Sequence, residues 1–568
     1  MAGAGPTPIP PDDPATDLLR ARAALLAPPA GARRLAAPAL RAALVDLHDL
    51  WLTTRAAALG VGPGRALVAL GALGRRELAP WSVPDLLLLY DADRIDPADA
   101  TRLAAALRPG LRTATVGGAV QASLADLPTA LGLLDARLVA GEADLADRLA
   151  ATARRAWRAS APARTDALAV LTHARWDRAG DVAHRVEPDL RDGRGGLRDL
   201  AVLDALVVAG AADPPSAEVR AARRVLLDLR TELHRHAGCA RDVLRVDDVG
   251  NLLDPHGPTD HHGLLRTIGG AARTVVTAVE AALRPRRHRP RSSGRPELGT
   301  GLVVHAGEVT LARGASVARD PVLVLRLASA AARGGLPMSP SALRRLAEAA
   351  PELRAPWPDA ARAELLTLLG AGEGLVDVVE ALDRAGLWGR LLPEWGAVRD
   401  LPPADPRHAR TVGRHLLEVT RHAATGDRTD RPDLLLLAAL VHDLGRGRAE
   451  HPARVGAEVA GHVGRRLGLP CDDVATLAAT VRHQDLLPRT ARRRDPEDPA
   501  TVRRVLDVLD GDAVLLGLLR ALAEADARGT APGAWTPWTA RLLDDLVARC
   551  RSALPTTATG RAPRRPGG

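Results

Sequence analysis

The 568-residue chain has no phenylalanine and one tyrosine, and lysine is absent, so arginine supplies every fixed side-chain positive charge. Asparagine occurs once, at Asn251. This is the bias of a sequence that favours GC-rich codons throughout, and a substitution that merely follows it carries little functional meaning. Cysteine is also scarce: Cys239, Cys471 and Cys550 are widely spaced and odd in number, which argues against a disulfide framework or a cysteine metal site and suits a reducing compartment. No apolar run reaches the roughly 18 residues of a membrane span. The opening residues are Pro-rich and acidic, unlike a basic segment followed by an apolar one. A cytosolic protein without membrane association is expected.

Alanine, leucine, arginine, glycine, proline and valine make up most of what is present. The net charge of +9 is spread along the chain, which suits phosphate-bearing ligands without marking a nucleic-acid binder. At this length about three or four domains are expected.

One stretch concentrates the chemistry. Leu434 to Arg446, LLLLAALVHDLGR, reads as an apolar helix that ends on His442 and Asp443 and is closed by Gly445. So apolar a run belongs inside a protein, yet it finishes on two adjacent metal-ligand side chains, which need partners when buried. Imidazole nitrogen and carboxylate oxygen suit a divalent cation such as Zn, Mn, Fe or Mg, but two ligands are too few. Further candidates lie on both sides: His408, His415 and His422 upstream, and His451, His462, His483 and Asp526 downstream. His415 precedes Leu416 and Leu417 beside a core-facing stripe, whereas His408, His422 and His462 read as ordinary solvated or core-satisfied imidazoles.

The order His, His-Asp, then a distant Asp on successive helices resembles the HD metal-dependent phosphohydrolases. That resemblance assigns His415, His442, Asp443 and Asp526 as metal ligands, and implies metal-assisted hydrolysis of a phosphodiester or phosphoanhydride. It places His451 and His483 near the metal as second-layer or substrate-phosphate contacts. Two departures stand out. Arg446 replaces the family's usual lysine and cannot shuttle a proton, and Gln484 follows His483 where a second histidine is common.

Upstream, residues 66–70 (ALVAL) read as a strand, 71–78 (GALGRREL) as a glycine turn whose backbone N–H groups can meet phosphate, and Asp85 to Tyr90 as a second strand. The run LVALGALGRRELAPWSVPDLLLLYD resembles the nucleotidyltransferase signature of the bifunctional PII uridylyltransferase/uridylyl-removing enzymes. LLDARLVAGE (133–142), EPDLRDGRGGLRDL (187–200), ELHRHAGCARDVL (232–244), APWPDAARAELLTLL and LLPEWGAVR agree with the same family, over about residues 40 to 550. The resemblance implies that Gly71, Gly74, Arg75 and Ser82 bind nucleotide, UTP or ATP, and that Asp85 is a catalytic carboxylate. Such transferases hold Mg between two carboxylates two residues apart on a strand. Here Val83 stands in place of the first, which predicts impaired transfer, and Asp126 is a substitute that cannot be aligned securely.

The expected architecture is mainly α and multidomain, with a small α/β nucleotidyltransferase domain on a mixed sheet, helical domains and an all-α HD domain. The expected divisions are a flexible lead (1–16), N-terminal helices (17–59), a nucleotidyltransferase-like domain (60–150) and a central helical domain (151–283). An Arg/Pro linker (284–298), a hairpin and helical connector (299–400), the HD domain (401–550) and a disordered tail (551–568) follow. Arg191 to Asp199, with Gly195 and Gly196 opening a helix, reads equally as a phosphate- or partner-binding turn and as a plain loop-to-helix junction. Family members continue into two ACT domains implied to sense glutamine, and the residues after Arg551 are too few for one.

The function implied is hydrolysis of a nucleotidyl-tyrosine on the PII signal protein with a divalent metal, Mg or Mn. The alternatives are a regulatory pseudoenzyme that binds PII or nucleotide, and a free-standing HD nucleotide phosphohydrolase.

Overall fold

The computed structural model describes residues 14–27, 34–108, 110–252, 261–283, 301–403, 410–426, 429–448, 450–531 and 533–554. The lead up to residue 13, the Arg/Pro run 284–298, His408 and the tail from residue 555 lie outside the described residues. The chain is mainly helical, with one four-stranded mixed sheet and one hairpin, and it divides into two compact units, Met1–Arg286 and Arg287–Gly568.

In the first unit, β1 (Arg65–Leu70) pairs antiparallel with β2 (Asp85–Tyr90) and with β4 (Arg137–Gly141), while β3 (Arg112–Ala114) runs parallel to β2. The spatial order is β3-β2-β1-β4. The continuous apolar character of β1 and β2 follows from cover on both faces. Leu67, Ala69, Leu86 and Leu88 pack towards Val45 and Leu52 of α1 (Ala37–Ala58), and Ala66, Val68, Leu70, Leu87 and Leu89 pack towards Leu145 and Leu149 of a helix at Ala143–Ala159. The two-residue alternation of a strand sorts these sets to opposite faces.

The glycine turn is a four-residue helix, α2 (Gly71–Gly74). Gly74 is required by close approach, because a Cβ there would fall 2.1 Å from the Asp135 carbonyl oxygen. Helices at Leu197–Val208, Ala217–Ala237 and His261–Leu283 build a separate apolar core. The Gly195–Gly196 segment is a structural junction: buried Asp199 accepts from Gly195 N–H (2.7 Å), from Arg175 (2.5 Å) and from Trp176 Nε1 (3.0 Å).

The second unit opens with a hairpin, β5 (Leu302–His305) and β6 (Glu308–Leu311), turned by Ala306 and Gly307, both at positive φ as a two-residue type I′ turn requires. Its functional part is built on α3 (Val412–Thr425), α4 (Pro432–Val441), α5 (Pro452–Arg466), α6 (Cys471–Arg482) and α7 (Ala513–Thr530). All of Leu434, Leu435, Leu437, Ala438, Ala439, Leu440 and Val441 are buried, because α4 is surrounded by α3, α5, α6 and α7. A helix that is apolar all round belongs in such a place.

The helix ends one residue before the expected pair: Val441 is its last residue and His442 is its C-cap. Gly445 is not a left-handed stop, that conformation falling at Gly447 (φ 77°). What Gly445 allows is contact. A Cβ at this position would stand 2.3 Å from Pro452 O and 2.4 Å from Gly456 N, so only glycine lets the chain leaving α4 lie on the first turn of α5. Gly445→Ala should therefore destabilise the second unit by about 2–3 kcal/mol, as forced overpacking against backbone does. Chemical denaturation should show a lower midpoint, and an unchanged midpoint would contradict the close approach.

Candidate metal centre

Three side chains from three segments meet where α4 ends. His415 lies on α3, His442 caps α4 and Asp526 lies on α7. One ligand-capable atom of each lies within 4.8 Å of the other two, the only such group found among the described residues. Nothing in the sequence shows how Asp526 reaches the other two. Gly529, about one turn beyond it, packs on Val419, about one turn beyond His415, and a Cβ at Gly529 would stand 2.7 Å from Val419 Cγ2 and 3.1 Å from its backbone nitrogen. The crossing of α3 and α7 at this glycine carries Asp526 Oδ1 to within 2.9 Å of His415 Nε2.

The backbone sets the His442 ring. Its Nδ1 lies 2.8 Å from the Ala439 carbonyl, which can only accept, so Nδ1 carries the proton and donates it. In the neutral ring Nε2 then presents a lone pair. It is buried without a hydrogen-bond partner, 3.7 Å from Asp526 Oδ1 and 3.8 Å from Asp443 Oδ2. Three electron-rich atoms facing one another inside a protein are unfavourable unless a cation or a further proton lies between them. The donor set, two imidazoles and carboxylate oxygen, fits a divalent metal, and a backbone carbonyl on the far ring nitrogen is the usual support of a metal-bound histidine.

Without a metal the further proton is favoured. Burial works against a charged ring at His442, but Asp443 and Asp526 outweigh it and raise its pKa above the ordinary histidine value. Burial pushes the Asp526 carboxyl up, yet the facing imidazoles of His415 and His442 hold it well below the usual carboxylate range. The Asp526 side chain leaves 44% of its surface open to water, whereas His415 and His442 are buried.

Asp443, the fourth expected ligand, stands outside the group of three. Its Oδ2 is 2.5 Å from Arg446 Nε, and Gln484 Nε2 is 3.4 Å from its Oδ1. Gln484, which the sequence marks only as a lost acid, thus touches a candidate ligand directly. Its neighbour His483 is half-buried, its pKa lowered by burial and by Arg482. His451 is exposed at the start of α5, His422 is half-buried on α3, and His462 is exposed.

The other expected site has a different character. The register pairs Asp85 with Leu70, so the carboxylate sits beside the start of α2. It is exposed, and Arg112 lies 3.7 Å away. Val83 is 74% exposed. Arg75 is turned to Glu77 (2.8 Å) and to Asp135, and Glu77 also receives Arg223 (3.1 Å), so these charges hold the turn together. Ser82 keeps a buried Oγ without a hydrogen-bond partner, and Gly71 takes positive φ (51°). Asp126 caps a helix at Leu127–Leu134, accepting from Thr129 N–H at 2.9 Å.

A model of the HD domain matches residues 408–513. Asp526 lies beyond that match and is brought to the cluster by α7. Over most of its length the chain is similar to proteins named bifunctional uridylyltransferase/uridylyl-removing enzyme. The Mycobacterium tuberculosis relative is 45% identical over 95% of this chain and 70% of its own length. The Streptomyces coelicolor relative is 42% identical over 91% and 65%, and the Corynebacterium glutamicum relative 36% identical over 86% and 72%.

The opposed shifts at His442 and Asp526 give the metal-free protein a pH signature. A raised histidine contributes stability that is complete below its unfolded pKa of about 6.5 and fades as pH rises through the folded value. A depressed carboxylate contributes stability above about 3.9 that fades as pH falls through its folded value. In EDTA, the stability difference between the wild type and His442→Gln should accordingly be greatest between about pH 4 and 6.5 and shrink towards pH 8. Denaturant titrations across that range check it, and a difference that grows with pH would contradict it.

Proposed function

Because the chain belongs to the bifunctional uridylyltransferase/uridylyl-removing enzymes, we propose that it hydrolyses a nucleotidyl-tyrosine phosphodiester on the PII signal protein. In this reading a divalent metal, Mg or Mn, is held by His415, His442, Asp443 and Asp526. The observation that carries it is the buried His442 Nε2 facing two carboxylates, a set of acceptors suited to a cation. A bound divalent ion supplies Lewis-acid polarisation of a phosphoryl oxygen and acidifies water. The chain's own residues do the rest. Ala439 O fixes the His442 tautomer, Gln484 steadies Asp443, and the water-exposed side of Asp526 admits the phosphate. His451 and His483 are the candidates for contacting substrate phosphate. Water adds to phosphorus, the bond to the tyrosyl oxygen breaks, and the tyrosine hydroxyl takes up a proton as the nucleotide leaves.

Transfer from UTP or ATP is impaired on this reading, since Asp85 stands beside Arg112 without the second acid. Gly71, Gly74, Arg75 and Ser82 then serve a retained scaffold. We place the protein in the cytoplasm: its cysteines are free, and no helix among the described residues is long and apolar enough to cross a membrane. One observation favours a second reading, a regulatory pseudoenzyme that binds PII or nucleotide, because Arg446 already supplies a cation to Asp443. Metal content after purification separates the two.

His442→Ala should lose bound metal and hydrolysis of modified PII together, by at least about 100-fold in rate, whereas His462→Ala should lose neither. The mass of PII after incubation with Mn or Mg reads the reaction, and full metal and full hydrolysis in His442→Ala would overturn the proposal. Val83 projects into solvent, so Val83→Asp can be introduced without disturbing packing. It should raise nucleotidyl transfer to unmodified PII. Wild-type transfer that Asp85→Ala does not reduce would show that the transferase site lies elsewhere.

A further inference from the structure

The two oxygens of Asp443 have different neighbours. Oδ2 is the oxygen 3.8 Å from His442 Nε2, and it is also the oxygen that Arg446 Nε approaches to 2.5 Å. Oδ1 faces Gln484 Nε2 at 3.4 Å. The Arg446 contact is an ion pair without a directed hydrogen bond, since the Nε–H is not aligned with the carboxylate. A tight turn, with Arg446 N–H donating to Asp443 O at 3.1 Å, keeps the guanidinium beside the carboxylate, yet the arginine side chain is one-third exposed and has room to swing out. A second cation seeking Oδ2 together with His442 Nε2 meets Arg446 already there.

We infer that Arg446 is an internal counter-ion for Asp443 with which a metal must compete, and that Gln484 is the hold that keeps the carboxylate oriented while it does. The inference rests on the metal-centre reading above and goes beyond it, because it makes metal affinity a competition set by two residues that are not ligands. Two cations at one carboxylate oxygen repel each other, so metal binding and the Arg446–Asp443 pair compete. A buried aspartate left with no cation would be strongly disfavoured, and Arg446 meets that need in the metal-free protein. Gln484 acts in the opposite sense. An amide on Oδ1 does not compete for Oδ2 and limits the rotation of the carboxylate, as outer contacts to ligating carboxylates do.

The two residues must therefore move metal affinity in opposite directions. Isothermal titration of Mn²⁺ alone into the EDTA-stripped full chain, at fixed ionic strength and pH, reads this without any substrate. Arg446→Gln should bind Mn²⁺ more tightly than wild type, by roughly fivefold, the equilibrium worth of one partly exposed ion pair. Gln484→Ala should bind roughly tenfold more weakly. Arg446→Lys, which retains the charge, should stay near wild type, and Arg446→Met should follow Arg446→Gln should the glutamine variant fail to fold. Tighter binding in the neutral variants with weaker binding in Gln484→Ala supports the inference. Equal or weaker binding in folded Arg446→Gln or Arg446→Met overturns the competition, and unchanged binding in Gln484→Ala overturns the hold. A wild type that binds no Mn²⁺ would instead sink the metal-centre reading itself.

Discussion

The second unit depends on a set of facing acceptors that cannot be left to themselves. Buried His442 Nε2 and the buried carboxylate of Asp443 converge with the half-open carboxylate of Asp526 where α4 ends, and a buried charge left uncompensated costs about 3–5 kcal/mol. The geometry around them serves to bring them together. Gly445 lets the chain fold onto α5, Gly529 lets α7 approach α3, and the Ala439 carbonyl turns the His442 ring so that Nε2 faces inward. Glu418, one turn past His415, shows how the same helix handles a buried acid that has no such role. Arg410, Arg414 and Arg421 surround it, and they draw its carboxyl below the usual range against the effect of burial.

The sheet of the first unit poses the converse case. Its core is complete, with apolar side chains sorted to both faces, and the charges of the GALGRREL turn are satisfied among themselves and with Asp46, Asp49, Asp135 and Arg223. Only Asp85 remains at the surface in the place a transferase needs, with an arginine beside it. The packing of this sheet rests on apolar contacts and ion pairs, so an acid at exposed position 83 is not needed to keep its architecture.

Much of this was legible in the sequence, for physical reasons. The strands at 65–70 and 85–90 announce themselves as short apolar runs flanking glycine, and α4 as an unbroken apolar run, since burial on all sides leaves no polar face to blur the pattern. His415, His442 and Asp526 could be named because each lies in a strongly helical segment and matches a familiar order. What could not be read was contact at a distance. Nothing local at Gly529 reveals that Val419 packs on it, and nothing at Gln484 reveals Asp443. Gly445 was legible as a necessary glycine but for the wrong reason, close approach and a left-handed turn being indistinguishable in a one-letter code. Asp443 was expected to stand equal to the other ligands, and its pairing with Arg446 depends on a three-residue turn whose side-chain directions the sequence does not display.

On the proposed function a cation sits between His415, His442, Asp443 and Asp526. A crystal structure of the Mn-loaded protein, with anomalous scattering recorded at the manganese edge, tests this. One anomalous peak is expected within bonding distance of His415 Nε2, His442 Nε2 and an Asp526 oxygen, with Asp443 completing the set. A manganese peak elsewhere in the chain, with these four side chains unliganded, would contradict it.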